Sequence, residues 1–446
     1  MTCACNQKLA LFGGPKAVTL PPGDIFTWPI ITQEDEDAVL DVLRKRAMSG
    51  TELTKQFEAD FKAWTGTKYA LGYCNGTAAL HAAMWACGVG PGDEIICPSI
   101  TYWASAIPAL SLGAAVNFAD IDPESLCIDP NDIEHRIGKR TKAIVVVHYA
   151  AYPADMDPIM AIARKHKIKV IEDVSHAQGG LYKGRMCGTI GDIAAMSLMS
   201  GKSLAIGEAG MMVTDNRLLY ERCIAFGHYE RTGLASNFNA ADKQISDPSL
   251  TPFIGLPLGG FKHRMHQLSS ACGRVQLKHY PERKAEIQKA MNFFWDLLEG
   301  TPGIGSRRPA KNSGSDKAGW YAAKGRYYPE QLGGLTCERF CQAVTAEGFS
   351  TSPGTNKPLH LHNVFHQGDS LNAGKPTMIA FTERDVRQGP GTLPVSENIH
   401  LYTFRPPWFF KYDEKIIREY ADAFRKVAGQ ADQILAADQA AAKKQL

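Results

Sequence analysis

The sequence predicts an α/β fold, with a mostly parallel sheet under helices in a large domain and a smaller α+β C-terminal domain. Three observations lead there. From about residue 70 to 215, short apolar runs alternate with turns and amphipathic stretches, the pattern of strands joined by crossover helices. Residues 267–298 read as one long helix, a plausible bridge between two bodies. A chain of 446 residues also exceeds the comfortable size of one hydrophobic core.

The elements follow in order. Residues 33–64 carry apolar side chains at helical spacing in two runs broken near Ser49-Gly50, predicting two helices. Strands are expected at Glu94-Ile95-Ile96-Cys97, Ala115-Val116-Asn117-Phe118, Ala143-Ile144-Val145-Val146-Val147, Lys169-Val170-Ile171 and Ala194-Ala195-Met196-Ser197-Leu198. Helices are expected between them at 78–87 and 158–166, and an amphipathic helix at 414–428 closes the second domain. Stretches 229–258 and 362–392 are rich in Gly, Pro, Asn and Ser and read as long loops, and loops of that length are usually functional or mobile. The expected division is an arm with helices over 1–65, a large domain over 66–285 and a small domain over 286–446.

Composition narrows the function. Net charge is +3 with 21% charged residues, and no long basic run stands out except the short Lys443-Lys444 tail, which argues against nucleic acid as a partner. The N-terminal stretch MTCACNQKLALFGGPKAVTL has no basic region followed by a long apolar one, and no window has the length of a membrane span. A cytoplasmic protein is expected. Eleven irregularly spaced cysteines suit reduced thiols better than a disulfide framework. The close pairs Cys3/Cys5 and Cys337/Cys341 lack a second pair at zinc spacing, so no metal is expected.

The stretch SLMSGKSLAIGEAG, residues 197–210, poses the chemical question. Gly201-Lys202-Ser203 looks like the end of a nucleotide phosphate loop, but that signature needs a glycine five residues before Gly201, where Met196 stands. Leu204-Ala205-Ile206 and Met211-Met212-Val213 read as extended, not as the required helix. Gly88-Val89-Gly90-Pro91-Gly92 leads into a strand, which argues against a dinucleotide fingerprint.

A pyridoxal phosphate enzyme needs a different set: a lysine for the Schiff base, a carboxylate facing the pyridine nitrogen, a helix N-terminus with hydroxyls for phosphate, and an aromatic ring over the cofactor. Lys202, Asp173 after an apolar strand, Asn75-Gly76-Thr77 before a helix, Ser197 and Tyr102 are candidates for each part. Each also has an ordinary reading: Asp173 as a helix cap, Thr77 as an N-cap, Tyr102 as half-buried packing, Lys202 as a solvated surface lysine.

Taken together, the segments NGTAALH (75–81), GPGDEIICPSITYWAS (90–105), FADIDPESLCIDP (118–130), TKAIVVVHYAAYPADMDPIM (141–160), VIEDVSHAQGGLYKGRMCGTIGD (170–192) and SLMSGKSLAIGEAGMMVTDN (197–216) resemble the DegT/StrS sugar and cyclitol aminotransferases. The resemblance is clear over about 30–280 and weaker beyond, through PLHLHNVF and LPVSENI. It implies a fold-type I pyridoxal phosphate transferase with a seven-stranded type of sheet. It implies Lys202 as Schiff-base lysine, Asp173 at the pyridine nitrogen, Tyr102 stacked on the ring and His176 near the phenolic oxygen. It assigns phosphate to Gly76, Thr77 and Ser197. It further implies a homodimer whose sites are completed by a partner loop, here GFKHRM at 260–265, and in that loop Lys262 stands where the family has a phosphate-binding asparagine. Gly207-Glu208-Ala209-Gly210 replaces the usual Gly-Glu-Gly-Gly, which matters only if Ala209 needs a positive φ.

The activity implied is amino transfer from glutamate or glutamine to a keto-sugar or keto-cyclitol in amino-sugar or secondary-metabolite biosynthesis. The alternative is a non-transaminating reaction such as sugar dehydration, which some relatives catalyse with an altered base; the retained Lys202 favours transamination. Other residues attract attention with less reason. His360, His362 and His366 suggest a metal cluster but suit a loop lining better. Arg405 suits a donor carboxylate or a surface salt bridge, Arg264 a carboxylate or phosphate, and Lys183 a hairpin turn.

Overall fold

The computed structural model describes residues 7–232 and 244–443. The expected pair of helices opens the fold as α1 (Gln33–Arg44) and α2 (Glu52–Thr65). Thr32 and Asp35 form a capping box at the start of α1, and Gly66, at φ 76°, ends α2 in the left-handed conformation glycine adopts without cost.

Strand β1 (Tyr69–Tyr73) follows, then α3 (Gly76–Ala86), β2 (Glu94–Pro98), α4 (Ile107–Ser111), β3 (Ala115–Ala119), α5 (Pro130–Arg136), β4 (Thr141–Val147), α6 (Met156–His166) and β5 (Lys169–Asp173). A small hairpin, β6 (Leu181–Tyr182) and β7 (Arg185–Met186), precedes β8 (Ile193–Ser197), β9 (Gly210–Thr214) and α7 (Arg217–Gly227). Seven strands form one sheet in the order β1-β9-β8-β5-β4-β2-β3. Only β9 runs against its neighbours; the other ladders are parallel. Strands β2, β3 and β9 are buried throughout because helices cover both faces.

Two details differ from the sequence reading. Tyr69–Tyr73 is a strand the apolar runs did not mark, since its glycine and two tyrosines weaken the apolar signal. Leu204-Ala205-Ile206 is not a strand. The chain after β8 instead turns back on itself, held by Ile206 N–H to Leu198 O (2.9 Å), Ser200 N–H to Gly207 O (2.8 Å) and Leu198 N–H to Ala209 O (2.9 Å). Lys202 rides the tip of that loop.

The long helix appears as α8 (Gln267–Leu297), passing from one core to another. Leu277 and Tyr280 belong to the core around the sheet, while Ile287, Phe294 and Trp295 belong to a second, aromatic core with Phe340, Phe404 and Phe424. The second core sits on a three-stranded antiparallel sheet, β10 (Ile304–Ser306), β11 (Gly325–Tyr327) and β12 (Thr403–Phe404), with α9 (Cys337–Ala346). Between α9 and β12 run the short helices α10 (Val364–Gln367), α11 (Thr377–Ala380) and α12 (Pro394–Asn398); α13 (Glu414–Ala428) and α14 (Ala431–Lys443) end the fold.

The segment carrying α10 to α12 returns to the first core, where Leu359, Phe365, Met378 and Leu393 are buried. Within the expected 229–258 loop, Thr251–Phe253 forms a 3-10 turn. Residues 233–243 of that loop, Cys3, Cys5 and Lys444 lie outside the described residues. The nine described cysteines are free thiols, Cys337 and Cys341 included. Among the described residues, no helix is long and apolar enough to cross a membrane.

Candidate active site

The C-terminal ends of β5 and β8 bring Asp173 and the Lys202 loop together, as open α/β sheets arrange their functional side chains. Asp173 is the last residue of β5 and is buried. One carboxylate oxygen accepts Ser105 Oγ–H at 2.7 Å, and Ser105 is bonded in turn to Thr101 at 2.9 Å. The other accepts Ser175 N–H at 3.0 Å. Asp173 caps no helix, so its ordinary reading fails.

Next to β5, β8 ends at Ser197 and leads into the Lys202 loop. Lys202 is 7% exposed, far from a solvated surface lysine. Burial pushes its ammonium down to about 8, against the attraction of the Asp173 carboxylate. Its Nζ lies 4.1 Å from the centre of the Tyr321 ring. The backbone of the loop is clamped from three sides. Lys202 O accepts Trp28 Nε1–H at 2.8 Å, its N–H donates to Met199 O at 2.8 Å, and Ser203 joins Gln178 (2.9 Å) and Tyr280 (3.0 Å). Gln178 also donates to Ser197 O at 2.7 Å, tying the end of β8 to the same network.

A helix N-terminus meets this strand end. Asn75, not Thr77, is the N-cap of α3: its side chain accepts Ala78 N–H at 2.8 Å. Thr77 falls inside the first turn, and among the described residues its hydroxyl and the backbone N–H groups of Gly76 and Thr77 have no hydrogen-bond partner. Gly76 packs so tightly that a Cβ there would lie 2.7 Å from the Cα, Cβ and N of Ser197. Ser197 Oγ accepts Met199 N–H at 3.3 Å, which leaves its own proton for another acceptor. Free N–H groups, the helix dipole and the Thr77 and Ser197 hydroxyls therefore gather where α3 begins against the end of β8, the makings of an anion cradle.

His176 lies on the opposite flank. Its Nδ1 accepts Ala150 N–H at 3.2 Å, so Nε2 carries the proton, and burial together with the charges of Lys202 and Lys324 keeps the ring neutral. The Tyr321 ring packs edge-on against it at 4.7 Å and Tyr149 at 5.4 Å. Tyr102, 52% exposed, packs against Trp103 at 5.0 Å, which is compatible with its ordinary reading as half-buried packing. Ala209 is absent from the residues with positive φ, while Gly207 has φ 98°, so alanine in the Gly-Glu-Ala-Gly turn is unstrained.

The remaining candidates scatter. Lys262 is exposed on the 260–265 loop, which is anchored to the end of β1 by Cys74 N–H to His263 O (2.9 Å) and a bridge between Tyr73 and Arg264. Lys262 has no hydrogen bond or salt bridge among the described residues. His360 bonds Ser99 (2.7 Å) and Glu397 (3.1 Å), and His366 bonds the His360 carbonyl (2.7 Å). No described group of three or more potential ligands is placed to hold a metal. Lys183 sits in the β6–β7 turn at φ 49° and pairs with Asp157 at 2.5 Å. Sequence reasoning gave no role to Gln178 and Ser105, although both lie inside the quoted segments, and it missed Tyr321 and Trp28, which carry no motif and reach the site from other segments.

Fold and pocket together define a pyridoxal phosphate-dependent transferase of fold-type I. The family model of the DegT/DnrJ/EryC1/StrS aminotransferases matches residues 29–388, and the chain belongs to that family. It is similar to the Bacillus subtilis spore coat polysaccharide biosynthesis protein SpsC, 34% identical over 63% of this chain and 70% of that protein. It is also similar to the L-glutamine:2-deoxy-scyllo-inosose aminotransferase of Streptoalloteichus tenebrarius, 30% identical over 94% of this chain and 97% of that one. The crystal structure of an aminotransferase from Psychrobacter cryohalolentis superposes with a TM-score of 0.75 at 28% identity, over 89% of this chain and 96% of that chain. The protein is a pyridoxal phosphate-dependent aminotransferase. The pocket fits the cofactor: a buried amine, a buried carboxylate and an anion cradle at the start of α3 are the three groups that its aldehyde, ring nitrogen and phosphate require.

Proposed function

We propose that the protein moves an amino group from glutamine or glutamate to a keto-sugar or keto-cyclitol in amino-sugar or secondary-metabolite biosynthesis. The observation that carries this is Lys202, a buried amine held to about 8 in the pocket it shares with Asp173. Bound there, pyridoxal phosphate supplies an electron-accepting ring that keeps the amino group between the two substrates. Gly76, Thr77 and Ser197 hold its phosphate, Asp173 keeps a proton on its ring nitrogen, and Tyr102 covers its face. His176 donates from Nε2 toward the phenolic oxygen.

Lys202 does the proton work. A neutral Nζ takes the proton from the donor's α-carbon, and in the second half it delivers a proton to the acceptor carbon that gains nitrogen. The Tyr321 ring and the clamped loop hold Nζ in place and keep water from it. The acceptor class and the glutamine donor are supported by the names of the similar proteins, which include an L-glutamine:inosose aminotransferase.

The same reading makes the protein a cytoplasmic homodimer, in which the 260–265 loop brings Lys262 to the partner's phosphate cradle. Free thiols suit a reducing compartment. The exposed Phe253, Leu256, Leu258 and Phe261 supply an apolar face around that loop. The domain division at 66 and 285 belongs to this reading too, since it places the reaction between two bodies.

The experiment is a donor-by-acceptor screen on the purified holoenzyme, with absorbance following the donor half. Conversion by glutamine or glutamate is expected in the wild type and none in Lys202→Ala, and borohydride should leave a pyridoxyl label on Lys202. A yellow, active Lys202→Ala protein would reject the assignment.

A further inference from the structure

Lys324 and Arg405 carry charge that no carboxylate answers among the described residues. The β11–β12 ladder pairs Arg326 with Thr403 and Gly325 with Phe404. One step further in the same register, Lys324 lies across from Arg405. Like charges opposite one another on antiparallel strands repel, and among the described residues neither side chain forms a salt bridge. Each finds only carbonyls: Lys324 Nζ donates to Gly354 O at 3.0 Å, and Arg405 Nη2 donates to Ser350 O at 3.3 Å. Burial, and then the charge of Arg405, push the Lys324 ammonium down to about 8.

The pair stands beside the reaction centre. Three residues before Lys324, Tyr321 lies over Lys202 and against His176. Beyond Gly354, Asn356 accepts the Tyr149 hydroxyl at 2.6 Å, and Tyr149 packs on the other side of His176. The charge of Lys324 reaches His176 directly, opposing its protonation. Trp408, which follows Arg405, packs on Tyr321 at 5.6 Å and donates to Gly319 O at 2.9 Å, tying the segments before β11 and after β12 together.

We propose that Lys324 and Arg405 form a carboxylate-binding subsite on the small-domain wall, orienting a substrate anion beside Lys202. A carboxylate accepts both the planar Arg405 fork and the Lys324 point charge, and so turns their repulsion into two charge-assisted bonds. The proposal rests on the aminotransferase reading. The carboxylate comes either from the amino-acid donor or from an acid-bearing acceptor, and the two half-reactions distinguish these sources.

The test uses holoenzyme of the wild type, Lys324→Met, Arg405→Gln and the charge-preserving Lys324→Arg. Single-turnover absorbance measures the donor half with glutamine and glutamate and the acceptor half with the keto-substrate. Calorimetry with glutarate reads carboxylate binding without turnover. The neutral variants should weaken one half-reaction at least ~10-fold through KM, with kcat nearly kept, and weaken glutarate similarly, while Lys324→Arg restores most of it. A loss confined to the donor half names the amino acid; one confined to the acceptor half names an acidic acceptor. Unchanged constants in both halves and for glutarate overturn the subsite. Arg405 is exposed, so Arg405→Gln reports even where Lys324→Met fails to fold. A wild type that binds glutarate, loses it in the variants and yet accepts no amino donor would sink the reaction assigned above while leaving the subsite standing.

Discussion

Lys202 is a residue whose reactivity its surroundings decide. With its ammonium pushed down to about 8, the neutral amine is scarce below that pH and dominant above it. In cofactor-free protein, capture of pyridoxal phosphate should therefore speed up about tenfold per pH unit below 8 and level off above it. Stopped-flow absorbance across pH 6–10 checks this, and a rise continuing toward the solvated-lysine value of ~10.4 would show an unburied amine. Gly76 makes a steric counterpart. The atoms its absent Cβ would strike are the N, Cα and Cβ of Ser197, which no rotamer change moves. Gly76→Ala should push α3 off β8, cost about 1–3 kcal/mol in thermal stability and weaken cofactor binding. An unchanged dissociation constant in equilibrium dialysis would remove Gly76 from the cradle.

At the scale of elements, the site is made where α3 begins and β8 ends, and each depends on cover elsewhere in the sheet. Strand β3 is an edge, yet its pairing groups are not left open. Gln388 acts as a one-residue strand: its Oε1 accepts Phe118 N–H and its Nε2 donates to Phe118 O, both at 2.8 Å. Nearby, Asp120 accepts the N–H groups of Val395 (2.9 Å) and Ser396 (2.7 Å), and Arg384 holds Glu94. The stretch that reads as a loose loop is thus an edge cover. Gln388→Ala should cost about 1–3 kcal/mol and promote self-association, measured by melting temperature and light scattering. A monodisperse variant with an unshifted melt would show the cover to be redundant.

At the scale of the molecule, the N-terminal arm joins the second core to the reactive loop. Glu347 and Lys426, both fully buried, pair at 2.8 Å. Glu347 also accepts the N–H groups of Ala10 (2.8 Å) and Ala17 (3.0 Å), and Lys426 donates to Pro15 O at 2.7 Å. The arm pinned there carries Trp28 to the Lys202 carbonyl. Lys426→Met strands a buried carboxylate and should cost about 3–5 kcal/mol; denaturant melts of wild type and variant measure it, and a loss under ~1 kcal/mol would show that backbone N–H groups alone suffice.

The sequence by itself determined most of the sheet, the long helix and the family, and it named candidates for the cofactor site. Those features are local: strands and helices show as periodicity, and Lys202, Asp173, His176, Gly76, Thr77 and Ser197 sit at element ends inside short, recognisable segments. The tertiary structure alone decided how acidic the Lys202 ammonium is, which cap starts α3, and what surrounds the amine. Trp28 reaches Lys202 across 174 positions and Gln388 reaches Phe118 across 270. Neither Tyr321 over the amine nor the facing charges of Lys324 and Arg405 has a periodic or motif signal, because their meeting depends on how two cores close on one another. Desolvation and close packing are properties of that closure, and no single stretch of chain encodes them.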